Sequence, residues 1–272
     1  MAVKQGDTIT ITSVKGGVGK TVNTLNIAGI LSSIGKKVLI IDLDLYTGGV
    51  ACSLNIENDK DLFLLVNDMS NNKFDYLENY IIKYNENIDI IPAPKDPRDA
   101  SKISPKYLNV VISKAKMKYD VVLIDTNHLL TDTNLVILDN SDVILYFISN
   151  DLIDLKNMKS MTSIFRDMEM DNYKVILNNS LPQNKKTFNN YDIKTVIKSK
   201  IDFTLSNKLY EKNIDIEKIE FNNEYQKQQF MEQLKNNQEL LEKFSNDRLK
   251  VILQYYLDEN NKKRERLKKI SN

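Results

Sequence analysis

Residues 8–21, TITITSVKGGVGKT, run an alternating apolar strand straight into a glycine-rich turn that ends in Gly-Lys-Thr. A junction of this kind leaves few architectures open. The phosphate-binding loop pattern asks for Gly, four free positions, then Gly-Lys-[Ser/Thr], between a strand and a helix. Gly19, Lys20 and Thr21 satisfy its end, whereas Val14 stands at the first glycine and a second cation, Lys15, follows it. Downstream, Lys20–Ile34 carries Leu25, Ala28, Leu31 and Ser32 at helical spacing, and Gly35 suits the residue that ends such a helix. In this context the backbone N–H groups of Gly16, Gly17, Val18, Gly19, Lys20, Thr21 and Val22 are expected to wrap a phosphate at the positive end of the helix. Lys20 would neutralise β- and γ-phosphates, and the Thr21 hydroxyl would ligate Mg²⁺.

The rest of the chain repeats the alternation. Val38–Leu45 (VLIIDLDL) reads as a buried parallel strand, and further strands are expected at 88–91, 121–125, 143–149 and 175–178. Helical stretches lie between them at 105–117, 134–139 and 151–168. Strand–helix alternation of this kind predicts an α/β fold with a doubly wound, mainly parallel sheet. From about residue 205 the sequence turns long, charged and helix-prone, so a helical C-terminal extension is expected, with an ATPase domain over 1–257 and a basic tail over 258–272.

Acids stand where such a sheet places ligands, beyond the carboxyl ends of the strands. Asp42 and Asp44 close the second strand in DLDLYTGG, where alternation would turn both to one face. Asp125 ends the apolar strand VVLIDT, the position of a Mg²⁺-associated acid. Each could instead cap a turn; their recurrence at two strand ends favours a metal–phosphate site with Thr21, Asp42 and Asp125 around the metal. Gly48 and Gly49 suit a loop that moves or closely approaches a phosphate.

Composition removes several classes. Of 272 residues 42% are hydrophobic, enough for one large domain, and a net charge of +1 gives no strong overall field for nucleic acid or membrane. One cysteine, Cys52, excludes an intramolecular disulfide or a cysteine-rich metal site within the chain. MAVKQGDTITITS has no long apolar segment and no run reaches a membrane span, so a cytoplasmic protein is expected, with recruitment to a pole or the inner membrane face as an option.

KGGVGKT (15–21), DLDLYTGG (42–49) and LIDT (123–126) together resemble the deviant Walker A ATPases of the ParA/MinD superfamily, over roughly residues 8–205. The resemblance implies a P-loop NTPase in which Lys15 reaches across a nucleotide-sandwich homodimer to the partner's ATP phosphates. It also implies that Asp44 positions the attacking water, that Asp42 supports Thr21 and the metal, and that Asn178, after KVILN, reads adenine; a polar residue opening a turn is the other reading of Asn178. Lys15, Lys20 and Asp44 are thus the catalytic candidates, and ATP and Mg²⁺ the expected ligands.

The segment after Asp125, DTNHLLTDTNL, lacks the proline and glycine frequent there in the superfamily, and 125–156 is most similar to the CpaE/TadZ branch of positioning ATPases. His128, the only histidine, is a turn or interface residue on one reading and catalytic on the other. A nitrogenase-type iron protein would need more cysteines than Cys52, and the pair Tyr255–Tyr256 is a weak counterpart to an autokinase tyrosine cluster. The tail ENNKKRERLKKISN, with two bulky apolar residues against six Lys/Arg, reads as a solvated helix end or as an electrostatic contact to DNA or anionic lipid. The expected function is a slow, dimerising ATPase acting as a spatial switch for pilus or secretion machinery, with an unidentified protein partner or polar anchor. A ParA-like partition ATPase, a MinD-like division-site regulator and a non-hydrolysing adaptor are the alternatives; DNA binding is not favoured and membrane contact is expected to be weak or indirect.

Overall fold

The computed structural model describes residues 5–57, 59–179 and 188–205. The helical region expected beyond residue 205, Tyr255–Tyr256 and the basic tail lie outside the described residues.

In chain order the elements are β1 (Asp7–Ser13), α1 (Lys20–Ser33), β2 (Val38–Leu43), α2 (Val50–Ser53), α3 (Leu62–Ser70), β3 (Ile82–Lys83), β4 (Ile88–Ile91), α4 (Pro105–Lys116), β5 (Val121–Thr126), α5 (Asp132–Asp139), β6 (Val143–Ile148), α6 (Leu152–Asp167), β7 (Tyr173–Asn178), α7 (Asn190–Ile197) and β8 (Phe203–Leu205). They build one eight-stranded sheet in the order β3-β4-β2-β5-β1-β6-β7-β8. Every pairing is parallel except β3 with β4 at the edge. The doubly wound expectation is met, because β1 sits centrally and the chain leaves it in both directions, to β5 on one side and β6 on the other.

Alternation along β2 explains why its sequence reads as continuously apolar. Leu39, Ile41 and Leu43 join one core cluster with α3 and α4, while Val38 and Ile40 join another with α1. Both faces are covered, so no position faces water. The third cluster sets α6 and α7 on β6 and β7, with Phe165 wedged between Tyr146 and Tyr173 at ring-centroid distances of 5.5 and 4.6 Å.

Helix α1 departs from the expected stripe. Its buried face is Lys20, Asn23, Thr24, Ile27, Ala28 and Leu31, whereas Leu25 and Ser32 are only half-buried. Polar residues occupy the first turn of the buried face because that turn meets a carboxylate, and this blurs the apolar period. Gly35 does end the helix, with Gly35 N–H donating to Ser32 O and Lys36 N–H to Leu31 O. Helix α5 begins two residues before the expected start because Thr131 caps it by accepting from Asn134 N–H. Strands β3 and β8 and helix α7 are too short to declare themselves by period.

Phe165 fastens α6 to the sheet and is fully buried. Phe165→Ala is expected to lower unfolding free energy by about 3–5 kcal/mol, read from the urea midpoint. A loss below about 1 kcal/mol would show that α6 is not held by this contact.

Candidate functional site

The turn from β1 into α1 is made by Gly17 and Gly19, whose φ values of 75° and 91° lie in the left-handed region that side chains disfavour. Gly19 caps α1 without any side-chain hydrogen bond, and the helix has no acid in its first turn. Its leading N–H groups therefore meet no capping carboxylate, which is the arrangement that suits an anionic ligand. Ser13 Oγ donates to Lys15 O at 2.7 Å and accepts from Lys20 Nζ at 3.0 Å, which ties the two ends of the loop together. Asn178 Nδ2 donates to Val18 O at 2.9 Å and holds the loop from β7. Val18 is buried and Val22 is exposed.

Asp42 and Asp125 stand side by side in register on β2 and β5. Both lie two residues beyond an α1-facing position (Ile40 and Leu123), so strand alternation turns them to the α1 side. There Thr21 Oγ1 donates to Asp125 Oδ2 at 2.6 Å and Thr24 Oγ1 to Asp125 Oδ1 at 3.1 Å. Asp42 does something else. Its Oδ1 accepts from Asp44 N–H and its Oδ2 from Val50 N–H, each at 3.0 Å, so it braces the loop between β2 and α2. This local hydrogen bond ends the strand at Leu43, and Asp44 lies in the turn, half-buried, where alternation no longer applies. In the same loop a Cβ on Gly49 would come within 3.0 Å of Thr21 Cγ2, so Gly49 serves the close packing of this loop on Thr21.

The electrostatics are lopsided. Among the described residues the buried charged side chains are one cation, Lys20, and three acids, Asp42, Asp125 and Asp154. Burial lowers the Lys20 ammonium, opposed by the charges of Asp125, Asp44 and Asp154. Burial first, and the neighbouring Asp125 second, push Asp42 up to about 7. Burial pushes Asp125 up to about 6, against the hydrogen bonds from Thr21 and Thr24. A surplus of buried carboxylate beside a hydroxyl fits a divalent cation. Among the described residues no group of three or more His, Cys, Asp or Glu could hold a metal alone. Mg²⁺ is ordinarily held by one or two protein groups and completed by phosphate and water, so the donor set suits that ion and not a caged one.

Lys15 is half-exposed and pairs with Asp151 Oδ1 at 3.1 Å. Asp151 is the N-cap of α6, accepting from Ile153 and Asp154 N–H. An ion pair this exposed is worth about 1 kcal/mol or less, so Lys15 is easily released. Asp154, fully buried, accepts from Ser149 N–H and Oγ at 2.6 and 2.7 Å and fixes the same turn. His128 is exposed, with its ring in ordinary contact with the position of a Cβ on Gly16. The structure thus brings Lys15, the loop, Lys20, Thr21, Asp42, Asp44, Asp125 and Asn178 to one end of the sheet. Ser13, Thr24, Asp151 and Asp154 join them unannounced. The signal for Thr24 was its place one turn after Thr21; that for Asp151 was an acid immediately before an apolar helical run, the pattern of a helix cap.

A strand, a glycine loop with a buried lysine, and an acid from a neighbouring parallel strand hydrogen-bonded to the loop's threonine define a P-loop NTPase. Residues 6–171 match the family model described as an AAA domain, so the chain belongs to that family, and its relatives place it in the ParA/MinD superfamily. The sporulation initiation inhibitor protein Soj of Bacillus subtilis is 35% identical over 128 residues, 44% of this chain and 49% of that protein. The septum site-determining protein MinD of Thermotoga maritima is 30% identical over 123 residues, 44% of each chain. This chain spans about half the length of such curated relatives. A ParA family ATPase from Chlorobium tepidum shares the fold, with a TM-score of 0.69, 19% identity, and coverage of 93% of this chain and 98% of that one.

The raised carboxyls give the ligand-free protein a defined pH response. Their folded values lie above the ordinary 3.8, so the folded state keeps protons that the unfolded chain has lost, and stability falls as pH rises from about 4 towards about 7. The loss is expected to be on the order of a few kcal/mol, seen as a thermal midpoint lower at pH 7.5 than at pH 5. Asp42→Asn should flatten the profile. A wild-type midpoint that rises over this interval would contradict the assignment.

Proposed function

We propose that this chain is a Mg²⁺-dependent ATPase that dimerises on ATP and acts as a spatial-positioning switch. The observation that carries the reading is the loop itself: backbone N–H groups at the start of α1, over a buried ammonium, beside a surplus of buried carboxylate. Lys20, already desolvated, would neutralise the β- and γ-phosphates without rearranging. The Thr21 hydroxyl, which now donates to Asp125, would turn a lone pair to the metal, with Asp125 holding it in place. Mg²⁺, when bound, would offset phosphate charge as it develops. Asp44, half-buried and free of the sheet, would position water. Asp42 would keep that loop at its distance through its two backbone hydrogen bonds.

Lys15 supplies the switch. In the single subunit its charge is spent on Asp151. Two nucleotides brought face to face put strong negative charge between subunits, and Lys15 would exchange the weak surface pair for the partner's phosphates. Hydrolysis and phosphate loss would reverse the exchange. The family relatives, Soj and MinD, support a positioning ATPase. The narrower assignment, a positioning factor of the CpaE/TadZ kind with a protein anchor, rests on the proline-free, glycine-free segment after Asp125. A partition ATPase that binds DNA as the ATP dimer is the second reading, supported by the ParA-like fold; ATP-dependent, salt-sensitive retention of DNA would favour it.

Two variants separate the roles. Lys15→Ala should bind ATP as a monomer and neither dimerise nor turn over well. Asp44→Ala should dimerise with ATP and stay dimeric, with phosphate release slowed about 10²-fold or more. Light-scattering mass and phosphate release read both. Normal hydrolysis by Asp44→Ala, or wild-type dimerisation by Lys15→Ala, would overturn the mechanism.

A further inference from the structure

Strands β5, β1 and β6 are adjacent and parallel, so the segments that follow them emerge side by side at the carboxyl end of the sheet. The middle one is the phosphate-binding loop. Both outer ones carry pairs of large apolar side chains in water: Leu129 and Leu130 after β5, each 51% exposed, and Leu152 and Ile153 after β6, 61% and 63% exposed. Both segments touch the loop at neighbouring residues, through His128 at Gly16 and Asp151 at Lys15.

Neither apolar pair is a floppy tip. On the β5 side two buried asparagines form a clasp. Asn127 Oδ1 accepts from Leu129 N–H at 2.9 Å and from Asn134 Nδ2 at 2.8 Å, and Asn134 Nδ2 also donates to Leu129 O at 2.6 Å. The backbone of Leu129 is thus bonded on both its polar groups, which keeps the leucine side chains outward. On the β6 side, Asp151 caps the first turn of α6 and Asp154 anchors Ser149 beneath it. Two fixed apolar pairs therefore stand on either side of Lys15. Holding them in water is unfavourable in the single subunit, and burying them is worth about 25 cal/mol per Å².

We infer that these four residues form a preformed apolar rim that docks on a second copy of this chain, around the point where Lys15 crosses over. The inference rests on the sandwich-dimer reading and names the surface that makes the dimer depend on nucleotide. Its size argues for that dependence. Four half-exposed aliphatic side chains present on the order of 400 Å² per subunit, about half the 800 Å² per partner of a standing interface. Such a rim cannot hold a dimer alone, but it adds to one that ATP bridges. Its placement on both sides of the loop suits a twofold axis through the loop, where each pair meets a pair of the other copy. Closing the rim also removes water from around Lys15 and the phosphates, which strengthens their attraction.

The test uses Leu129→Ser and Ile153→Ser, with Met168→Ser, an exposed apolar residue at the far end of α6, as the control. Mass is measured by light scattering across protein concentration with ATP and Mg²⁺, alongside the thermal shift that the nucleotide gives. Each rim variant should weaken the ATP-dependent dimer by about tenfold or more, because every substitution occurs twice in a twofold dimer. Its nucleotide thermal shift at low protein concentration should stay as in wild type, and Met168→Ser should do neither. Rim variants that dimerise like wild type overturn the inference and leave the sandwich reading intact. A wild type that stays monomeric with saturating ATP and Mg²⁺ overturns both. Loss of the thermal shift in the rim variants would make these residues supports of the loop and overturn the docking role.

Discussion

Four charges are kept out of water at the carboxyl end of this sheet, and only one of them is positive. Burying a charge is costly unless it is paired and hydrogen-bonded, and a site with three buried acids around one ammonium is incompletely paired. The rest of the structure is arranged around keeping it folded. Thr21 and Thr24 turn the first buried turn of α1 polar to satisfy Asp125. Asp42 is satisfied by two backbone N–H groups, and through them it sets the path of the loop that carries Asp44 and packs Gly49 on Thr21. Ser13, the last residue of β1, steadies the Lys20 ammonium. A polyanion with a divalent cation would supply the missing balance.

Much of this was legible in the sequence because it depends on short-range rules. The glycine loop has to sit between a strand and a helix, and the strands covered on both faces read as unbroken apolar runs. Asp125 was visible because an apolar strand ending in an acid is an uncommon pattern. What escaped depends on long-range geometry. Pairing of Thr21 with Asp125 joins residues 104 positions apart. Asp44 was expected to share a face with Asp42, but a two-residue hydrogen bond from the Asp42 side chain turns the chain first. Asp151 looked like the first residue of a helix when it is the cap, and its contact with Lys15 follows from the adjacency of β1 and β6, which no local pattern encodes.

The two kinds of surface at the site act in different ways. Charge sets the direction of the switch: Lys15 is held by a weak exposed pair in one subunit and is drawn away only by something more negative. The apolar residues beside it carry no such preference, but they are fixed by the asparagine clasp and the α6 cap before any ligand arrives. A segment with proline and glycine at 127–130 would be freer to rearrange; here two buried asparagines bond the backbone instead. Substrate sensing would then lie in the loop and Lys15 more than in movement of the segment after β5.

The central claim is that the turn between β1 and α1 is the phosphate site and that its surplus of carboxylate awaits a metal. Calorimetric titration of wild type and of Lys20→Ala with ATP, each with and without Mg²⁺, tests it directly. One nucleotide per chain, bound more tightly with Mg²⁺ and lost in the variant while its circular dichroism stays native, is the result the account predicts. Binding of equal strength in Lys20→Ala, or indifference of the wild type to Mg²⁺, would contradict it.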